Sequence, residues 1–430
     1  MSGSFNNKSG QVGIAGSDRF PPSVPEAGGE DRDGTWVLTI VAVICAVATL
    51  AVYAVKISAA NPHNGVIGRD FLNFWMYGRA AWFADPGRFY DPRIYNEMLA
   101  PLVGANYPPQ NWSYPPSIMF IAAPFGRLGY FPALLCWTVL GVGIFVWVAR
   151  RCVADRRLLI AFLCSPAAVF CLISGQSSFL TAAMLLTIVW CVDRKPVLAG
   201  VLIALLSLKP QLGILFPVML VASGRWRVFV VAAVATILIV AATALAFGPH
   251  VWIDFVSKGL PAQNLVLADP GRVRTPMYPT IFMNLRGVDV SYAVAMTVQA
   301  CFSAFGVGLV AFAYRFRKNA DPLLLSALFF ACSVCVVPYL LSYDMLTVSC
   351  LAVLLLASGK LDARGQVLAM LMYWLPWIQD KLGQFHIPGP ALIPAVFAVY
   401  LFTRLKTSGD EVVHSTPFSR SLLRLKRALP

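Results

Sequence analysis

Long, uninterrupted apolar runs recur along almost the whole chain, and they limit its possible folds more than any other feature. A helix of about 20 residues crosses a hydrocarbon layer of about 30 Å, and inside that layer only helices and closed barrels satisfy their backbone hydrogen bonds. Barrel strands alternate over about ten residues, whereas these runs are solidly apolar. The sequence therefore predicts an all-α polytopic membrane protein, with about twelve transmembrane helices in a range of about ten to thirteen. The runs lie roughly at 36–59, 116–148, 158–173, 177–192, 196–208, 210–222, 228–247, 291–314, 322–341, 345–358, 365–380 and 389–404.

The balance of charges agrees with this class. Only 13% of the 430 residues are charged, about half the share found in soluble domains, and the mean hydropathy is +0.70. The net charge of +14 would suggest nucleic-acid binding in a soluble protein. Here the basic residues cluster in short loops between the apolar runs, as they do on the cytoplasmic side of membrane proteins. We therefore expect no nucleic acid as a partner.

The basic loops also predict an orientation. With a cytoplasmic N-terminus and twelve spans, the loops at 150–157, 194–195, 225–227, 315–318 and 360–364 all fall on the cytoplasmic side, as the positive-inside rule requires. We expect a multi-pass protein of the bacterial inner membrane with both termini cytoplasmic. From its composition, we expect residues 1–34 to form a disordered cytoplasmic tail. We expect residues 35–404 to form the membrane domain and residues 405–430 a basic cytoplasmic tail.

The opposite face then carries two long loops, at about 61–115 and 248–290, and several unusual polar residues. Loops of this length usually have a function, and ionisable groups near the membrane need a partner or a role. We therefore expect a site that opens outward. The candidate residues at the outer ends of the predicted spans are Asp70, Gln176, Lys209, Gln211 and Asp344.

The chemistry that fits these residue types is a phosphate handled beside a membrane. A carboxylate such as Asp70 can act as a general base toward a hydroxyl, and Lys209 can hold a phosphate. Arg272, Arg274 and Arg286 all lie in the second long loop. The positive-inside rule disfavours arginine on that side of the membrane, so anion binding explains these residues better than topology does. Other readings remain: Lys209 can snorkel to the interface, and Asp344 can cap a helix. No second carboxylate accompanies Asp70 in its segment, so we expect neither metal nor cofactor.

Several motifs together resemble glycosyltransferase family 87, the polyprenol-phosphate-mannose-dependent mannosyltransferases of the GT-C superfamily. They follow the family's order and cover most of the chain from Gly68 to Met345. The D-F pair after the first span and the K-P-Q turn between short spans are the most telling. The motifs are GRDFLNFW (Gly68–Trp75), FYDPRIY (Phe89–Tyr95), WSYPPSIMFIAAPFGRLGY (Trp112–Tyr130), SGQSSFL (Ser174–Leu180), LKPQLGILFP (Leu208–Pro217), GRWR (Gly224–Arg227) and VPYLLSYDM (Val337–Met345).

The resemblance implies a GT-C-type multi-helix bundle with interfacial helices in the first outer loop. It implies Asp70 as the catalytic base, Lys209 as the donor-phosphate ligand and Asp344 in positioning a substrate. The expected reaction moves a sugar from a polyprenyl-phosphate donor to a lipid or glycan acceptor outside the cytoplasm. The expected sugar is mannose, and the configuration at its anomeric carbon is expected to invert. Membrane lipids are further expected partners. The expected substrate-binding residues are Asn73, Tyr114, Gln176, Gln211, Tyr343 and Asp344, with Arg272 and Arg274 beside Lys209 at the phosphate.

Two other functions stay open at this point. A polysaccharide polymerase or ligase would share the polyprenyl-linked substrate and the large outer loop. A secondary transporter or lipid flippase would suit about twelve spans. A transporter predicts charged residues in the middle of its spans, however, and these runs are nearly free of them. The sequence does not indicate an oligomeric state.

Overall fold

The computed structural model describes residues 29–59, 66–104, 107–269, 276–317 and 319–405. Every regular element in these ranges is helical, which confirms the all-α prediction. The α-helices are α1 (Gly29–Ala59), α2 (Arg69–Ala80), α3 (Pro92–Val103), α4 (Ile118–Gly126), α5 (Tyr130–Cys152), α6 (Arg156–Leu163), α7 (Pro166–Ser174), α8 (Ser178–Cys191), α9 (Pro196–Leu205), α10 (Pro210–Gly213), α11 (Phe216–Ser223), α12 (Trp226–Phe247), α13 (His250–Asp254), α14 (Leu260–Ala268), α15 (Ile281–Gly287), α16 (Tyr292–Phe316), α17 (Pro322–Val336), α18 (Leu346–Ala357), α19 (Ala363–Gly383) and α20 (Ile393–Arg404). Short 3₁₀ turns lie at Gly87–Tyr90, Leu206–Leu208, Ser342–Met345 and Gly389–Leu392, and a π turn at Phe255–Gly259.

Four helices are long and apolar enough to cross a membrane: Thr35–Lys56 within α1, and α5, α12 and α16. The pair α6 and α7, bent by 50°, would make a fifth if it is a single span. Their faces carry large exposed apolar side chains, such as Leu245 on α12, as expected for contact with lipid. These features indicate a membrane protein. The prediction of about twelve spans is not confirmed, because the other apolar helices are shorter.

Two boundaries differ from the sequence prediction. The apolar run at 116–148 forms two helices, because the chain turns at residues 127–129 between α4 and α5. Helix α1 begins at Gly29, before the expected boundary at residue 35. The predicted tails over residues 1–28 and 406–430 lie outside the described residues.

The basic turns gather at one end of the helices. Arg225 pairs with Asp193 at 2.6 Å, Lys360 pairs with Asp321, and Arg404 with Asp362. Helix α8 begins two residues after Gln176 and ends just before Asp193, and α18 likewise runs from beside Asp344 to just before Lys360. The candidate site residues therefore lie at the end opposite these turns. The cytoplasmic location of the basic end remains a prediction.

The first long loop folds around an aromatic core of its own. Trp112 stacks on Tyr77 with ring centroids 4.0 Å apart, and Phe74 packs on Trp137 at the same distance. Burial of each such ring stabilises a fold by about 2 to 3 kcal/mol. This core fixes α2, and with it Asp70, against the bundle.

Candidate active site

Two glycine turns bring Asp70 and Gln176 together. Gly68 precedes α2 and Gly175 ends α7, and both have a φ of +68°, which glycine adopts without strain. A Cβ on Gly175 would lie 3.3 Å from the Gly68 Cα and 2.7 Å from the Phe71 Cβ. Because the turns pack this closely, Asp70 in the first turn of α2 meets Gln176. The N-terminus of α2 also favours the carboxylate charge there.

A proline places Lys209 in the same site. Pro210 begins α10, and a residue before proline avoids the helical conformation. Lys209 accordingly has φ −131° and ψ 75°, so the helical path is broken there and the lysine side chain is buried. The K-P-Q sequence therefore explains locally why a charged residue interrupts two apolar helices.

Asp344 arrives on the 3₁₀ turn Ser342–Met345. The backbone N–H and the hydroxyl of Ser342 both donate to the Met277 carbonyl, each at 2.9 Å. These bonds anchor the turn against the second long loop, in which Met277 lies. The buried Asp344 carboxylate is thereby held facing α8 and Lys209.

Lys209 and Asp344 form a buried ion pair. The Lys209 Nζ donates to Asp344 Oδ1 at 2.7 Å and to Gln176 Oε1 at 3.2 Å. The Ser178 hydroxyl donates to the same Asp344 oxygen at 2.8 Å. Each charge is therefore compensated, as burial requires.

Gln176 connects this pair to Asp70. Its Nε2 donates to Asp70 Oδ2 at 3.1 Å and to the Tyr343 hydroxyl at 3.0 Å. Its Oε1 accepts from Lys209, from the Tyr114 hydroxyl at 3.0 Å and from the Ser177 N–H at 3.2 Å. Because ammonium and N–H groups only donate, the orientation of the amide is fixed. One glutamine thus links an acid on α2 to a cation 139 residues later in the chain.

Two tyrosine hydroxyls, those of Tyr114 and Tyr343, form hydrogen bonds with Gln176 beside the Asp70 carboxylate. Burial raises the pKa of the Tyr114 hydroxyl, an effect that Lys209 reduces and Asp344 reinforces, so this hydroxyl stays protonated and donates at neutral pH. Stacking faces and hydroxyls of this kind suit a sugar.

Other candidate residues lie outside the network. Asn73, one turn after Asp70, accepts from the Tyr95 hydroxyl and donates to Gln110. Gln211 is half-buried, and its side chain forms no hydrogen bond with the residues that the structure describes. Arg272 and Arg274 lie outside the described residues.

Arg286, for which anion binding was the better explanation from the sequence, is buried. Its guanidinium donates to the Val290 carbonyl at 2.8 Å and to the Ala268 carbonyl at 2.9 Å. These bonds hold two loop segments together. Anion binding by Arg286 therefore stays a prediction, and its buried Nε has no hydrogen-bond partner among the described residues.

The sequence prediction missed Ser178, which donates to Asp344. Its position in the SGQSSFL motif, two residues after Gln176, was the available signal. Among the described residues, no group of three or more histidine, cysteine, aspartate or glutamate side chains is placed to hold a metal ion.

The sequence profile of glycosyltransferase family 87 matches residues 112–342, more than half of the chain. The match includes Tyr114, Gln176 and Lys209, begins after Asp70 and ends two residues before Asp344. A search of curated proteins and a search of solved structures each return no match. On the strength of the matched region, the chain belongs to glycosyltransferase family 87 and is a glycosyltransferase.

Proposed function

We propose that this glycosyltransferase moves a sugar from a polyprenyl-phosphate donor to a hydroxyl of a lipid or glycan acceptor. Mannose is the proposed sugar. The reaction would take place at the outer side of the bacterial inner membrane. One observation carries the proposal: Gln176 joins Asp70 to the Lys209–Asp344 pair in a single hydrogen-bonded network. A base and a cation in one site are what transfer from a phosphate to a hydroxyl requires.

Asp70 is the proposed general base. Its Oδ2 accepts from Gln176, whereas its Oδ1 accepts no hydrogen bond from the described residues. That oxygen can take the proton of an acceptor hydroxyl. A positioned base of this kind contributes about 10² to 10⁴-fold to a rate.

Lys209 is the proposed ligand of the donor phosphate. An ammonium has three N–H donors, and Lys209 uses two of them on Asp344 and Gln176. The third is left for a phosphate oxygen. Arg272 and Arg274 remain proposed phosphate ligands. Asn73, Tyr114, Gln176, Gln211, Tyr343 and Asp344 remain the proposed residues around the substrates.

The proposed step is a single displacement. The acceptor oxygen attacks the anomeric carbon on the face opposite the phosphate, and its proton passes to Asp70. The bond from the anomeric carbon to the phosphate oxygen breaks, and the electron pair leaves with the phosphate, whose charge Lys209 offsets. The configuration therefore inverts. This step uses no cofactor.

The test uses the protein in liposomes with radiolabelled polyprenyl-phosphate mannose and an extract of membrane glycolipids. We expect Asp70→Asn to lower transfer by about a hundredfold or more. Asp85→Asn, an exposed acid of the same loop, is the matched control and should stay active. A folded Asp70→Asn protein with unchanged transfer would refute the assignment of the base.

The same assay separates the other functions. A transporter or flippase would move label across the bilayer without cleaving it, and a polymerase would give products extended by many sugars. Mass spectrometry of membrane glycolipids with and without the gene would then identify the acceptor by one missing hexose.

A further inference from the structure

Helices α2 and α4 cross at two Gly-Arg steps. Gly78 precedes Arg79 near the end of α2, and Gly126 precedes Arg127 at the end of α4. A Cβ added to Gly78 would overlap the Ala122 carbonyl, and one added to Gly126 would overlap the backbone of Gly78. The two backbones are thus in direct contact, and each glycine delivers the following arginine to the same crossing.

Both guanidinium groups lie on tryptophan rings. The Arg79 Cζ is 4.9 Å from the centroid of Trp75, and the Arg127 Cζ is 3.5 Å from that of Trp82. Cation–π contacts of this kind favour arginine on tryptophan. The indoles are themselves tied to the α4 region, because Trp75 Nε1 donates to the Leu128 carbonyl at 3.0 Å. Trp82 Nε1 likewise donates to Ala123 at 2.9 Å.

The two arginines flank a cleft of about 470 Å³, which Trp82, Phe83 and Gly126 also line. Neither guanidinium forms a hydrogen bond or an ion pair with any residue that the structure describes. The carbonyl ends of α2 and α4 attract positive charge, but they do not neutralise two full charges. A guanidinium stacked by its face keeps its N–H edge free, and that edge matches two phosphate oxygens.

Exposed apolar side chains border the cleft. Trp82 is 53% exposed and Phe83 43%, and Leu128 and Phe131 beside Arg127 are exposed as well. Tryptophan and arginine together at such a position are typical of the membrane–water boundary. These surroundings favour a phosphate attached to a lipid over a phosphate ester free in solution.

We propose that the Arg79–Arg127 cleft binds the phosphate diester of an anionic lipid head group. The cleft is separate from the network around Asp70, because Arg79 follows Asp70 by nine residues, or about 14 Å along α2. The lipid would sit at the opposite end of the helix that carries Asp70. The assignment does not depend on the proposed sugar transfer.

The first test measures binding by native mass spectrometry of delipidated protein in a non-ionic detergent. The probes are phosphatidylglycerol, diacylglycerol, which lacks the phosphate, and glycerol phosphate, which lacks the chains. We expect the protein to bind phosphatidylglycerol at least about tenfold more tightly than either other probe. Equal binding of diacylglycerol would overturn the phosphate assignment. Equal binding of glycerol phosphate would overturn the lipid assignment.

The second test uses charge-matched variants. Arg79→Gln and Arg127→Gln should each weaken phosphatidylglycerol binding by about tenfold. Arg93→Gln removes the same charge from an exposed position on α3 and should change nothing. Thermal unfolding shows whether each variant is folded, and the comparison of probes in the unaltered protein stands even if a variant is not.

Failure of this proposal and failure of the proposed transfer are distinguishable. Asp70→Asn should bind phosphatidylglycerol as the unaltered protein does, whatever its activity. Unchanged phosphatidylglycerol affinity in a folded Arg79→Gln/Arg127→Gln protein would overturn the assignment of the cleft.

Discussion

The Lys209 ammonium lies 2.7 Å from Asp344 Oδ1, and the two side chains are each only 3% exposed. Removal of one partner leaves the other charge buried and unpaired, which typically costs about 3 to 5 kcal/mol. We therefore expect Lys209→Met and Asp344→Asn each to destabilise the protein by roughly that amount. Equilibrium unfolding in mixed detergent micelles measures the change.

The control for this pair is Lys258→Met. Lys258 pairs with Asp254 at 2.7 Å, but its side chain is 44% exposed. A pair of this kind contributes about 0 to 1 kcal/mol.

The double change Lys209→Met with Asp344→Leu should regain much of the lost stability while transfer stays absent. Single variants as stable as the unaltered protein would contradict the argument.

Gln176→Leu tests whether the amide positions the proposed base. The amide donates to Asp70 Oδ2 at 3.1 Å and so holds that carboxylate in place. Without it, we expect kcat to fall by about tenfold or more, while KM stays nearly unchanged. Gln384→Leu, at an exposed position, is the control. A folded Gln176→Leu protein with unchanged kcat would contradict the positioning role.

Tyr114→Phe removes one of three donors to Gln176 Oε1. We expect a loss of about 1 kcal/mol in stability and a decrease of a few fold in rate. Because burial raises the pKa of Tyr114 above its ordinary value of about 10, this group stays protonated through pH 9. The shape of the pH–rate profile between about pH 6 and 9 should therefore not change. An alkaline limb that disappears in Tyr114→Phe would show that the hydroxyl titrates in that range.

Gly126→Ala tests the crossing of α2 and α4. A Cβ there would overlap the backbone of Gly78, so the helices must separate, at a cost of about 1 to 3 kcal/mol. Gly143→Ala is the matched control within α5, because a Cβ at Gly143 meets nothing within 4 Å. That change should be neutral or stabilise by up to about 1 kcal/mol. Thermal unfolding compares the two, and equal effects would argue against a tight crossing.

The sequence identifies the candidate site residues, but it does not predict their pairings. Asp70, Gln176, Lys209 and Asp344 each stand at a break in an apolar run, where polar groups have a cost and so attract notice. Lys209 and Asp344 are 135 residues apart, and periodicity within one segment carries no information about such a contact. The pairing follows only from the packing of the turns that carry them.

Breaks inside apolar runs are also hard to predict. Hydropathy alone does not show that the run at 116–148 turns at residues 127–129. Arg286 gives a second example, because charge patterns do not reveal that its guanidinium donates to two backbone carbonyls.

The fixed amide of Gln176 has a consequence for where a proton can go. A neutral carboxamide does not titrate. Gln176 therefore connects Asp70 to the Lys209–Asp344 pair by hydrogen bonds but does not carry a proton between the two aspartates. In the proposed reaction, the proton taken up by Asp70 would therefore not pass to Asp344 through Gln176, and the Lys209–Asp344 pair would keep its charges through the turnover.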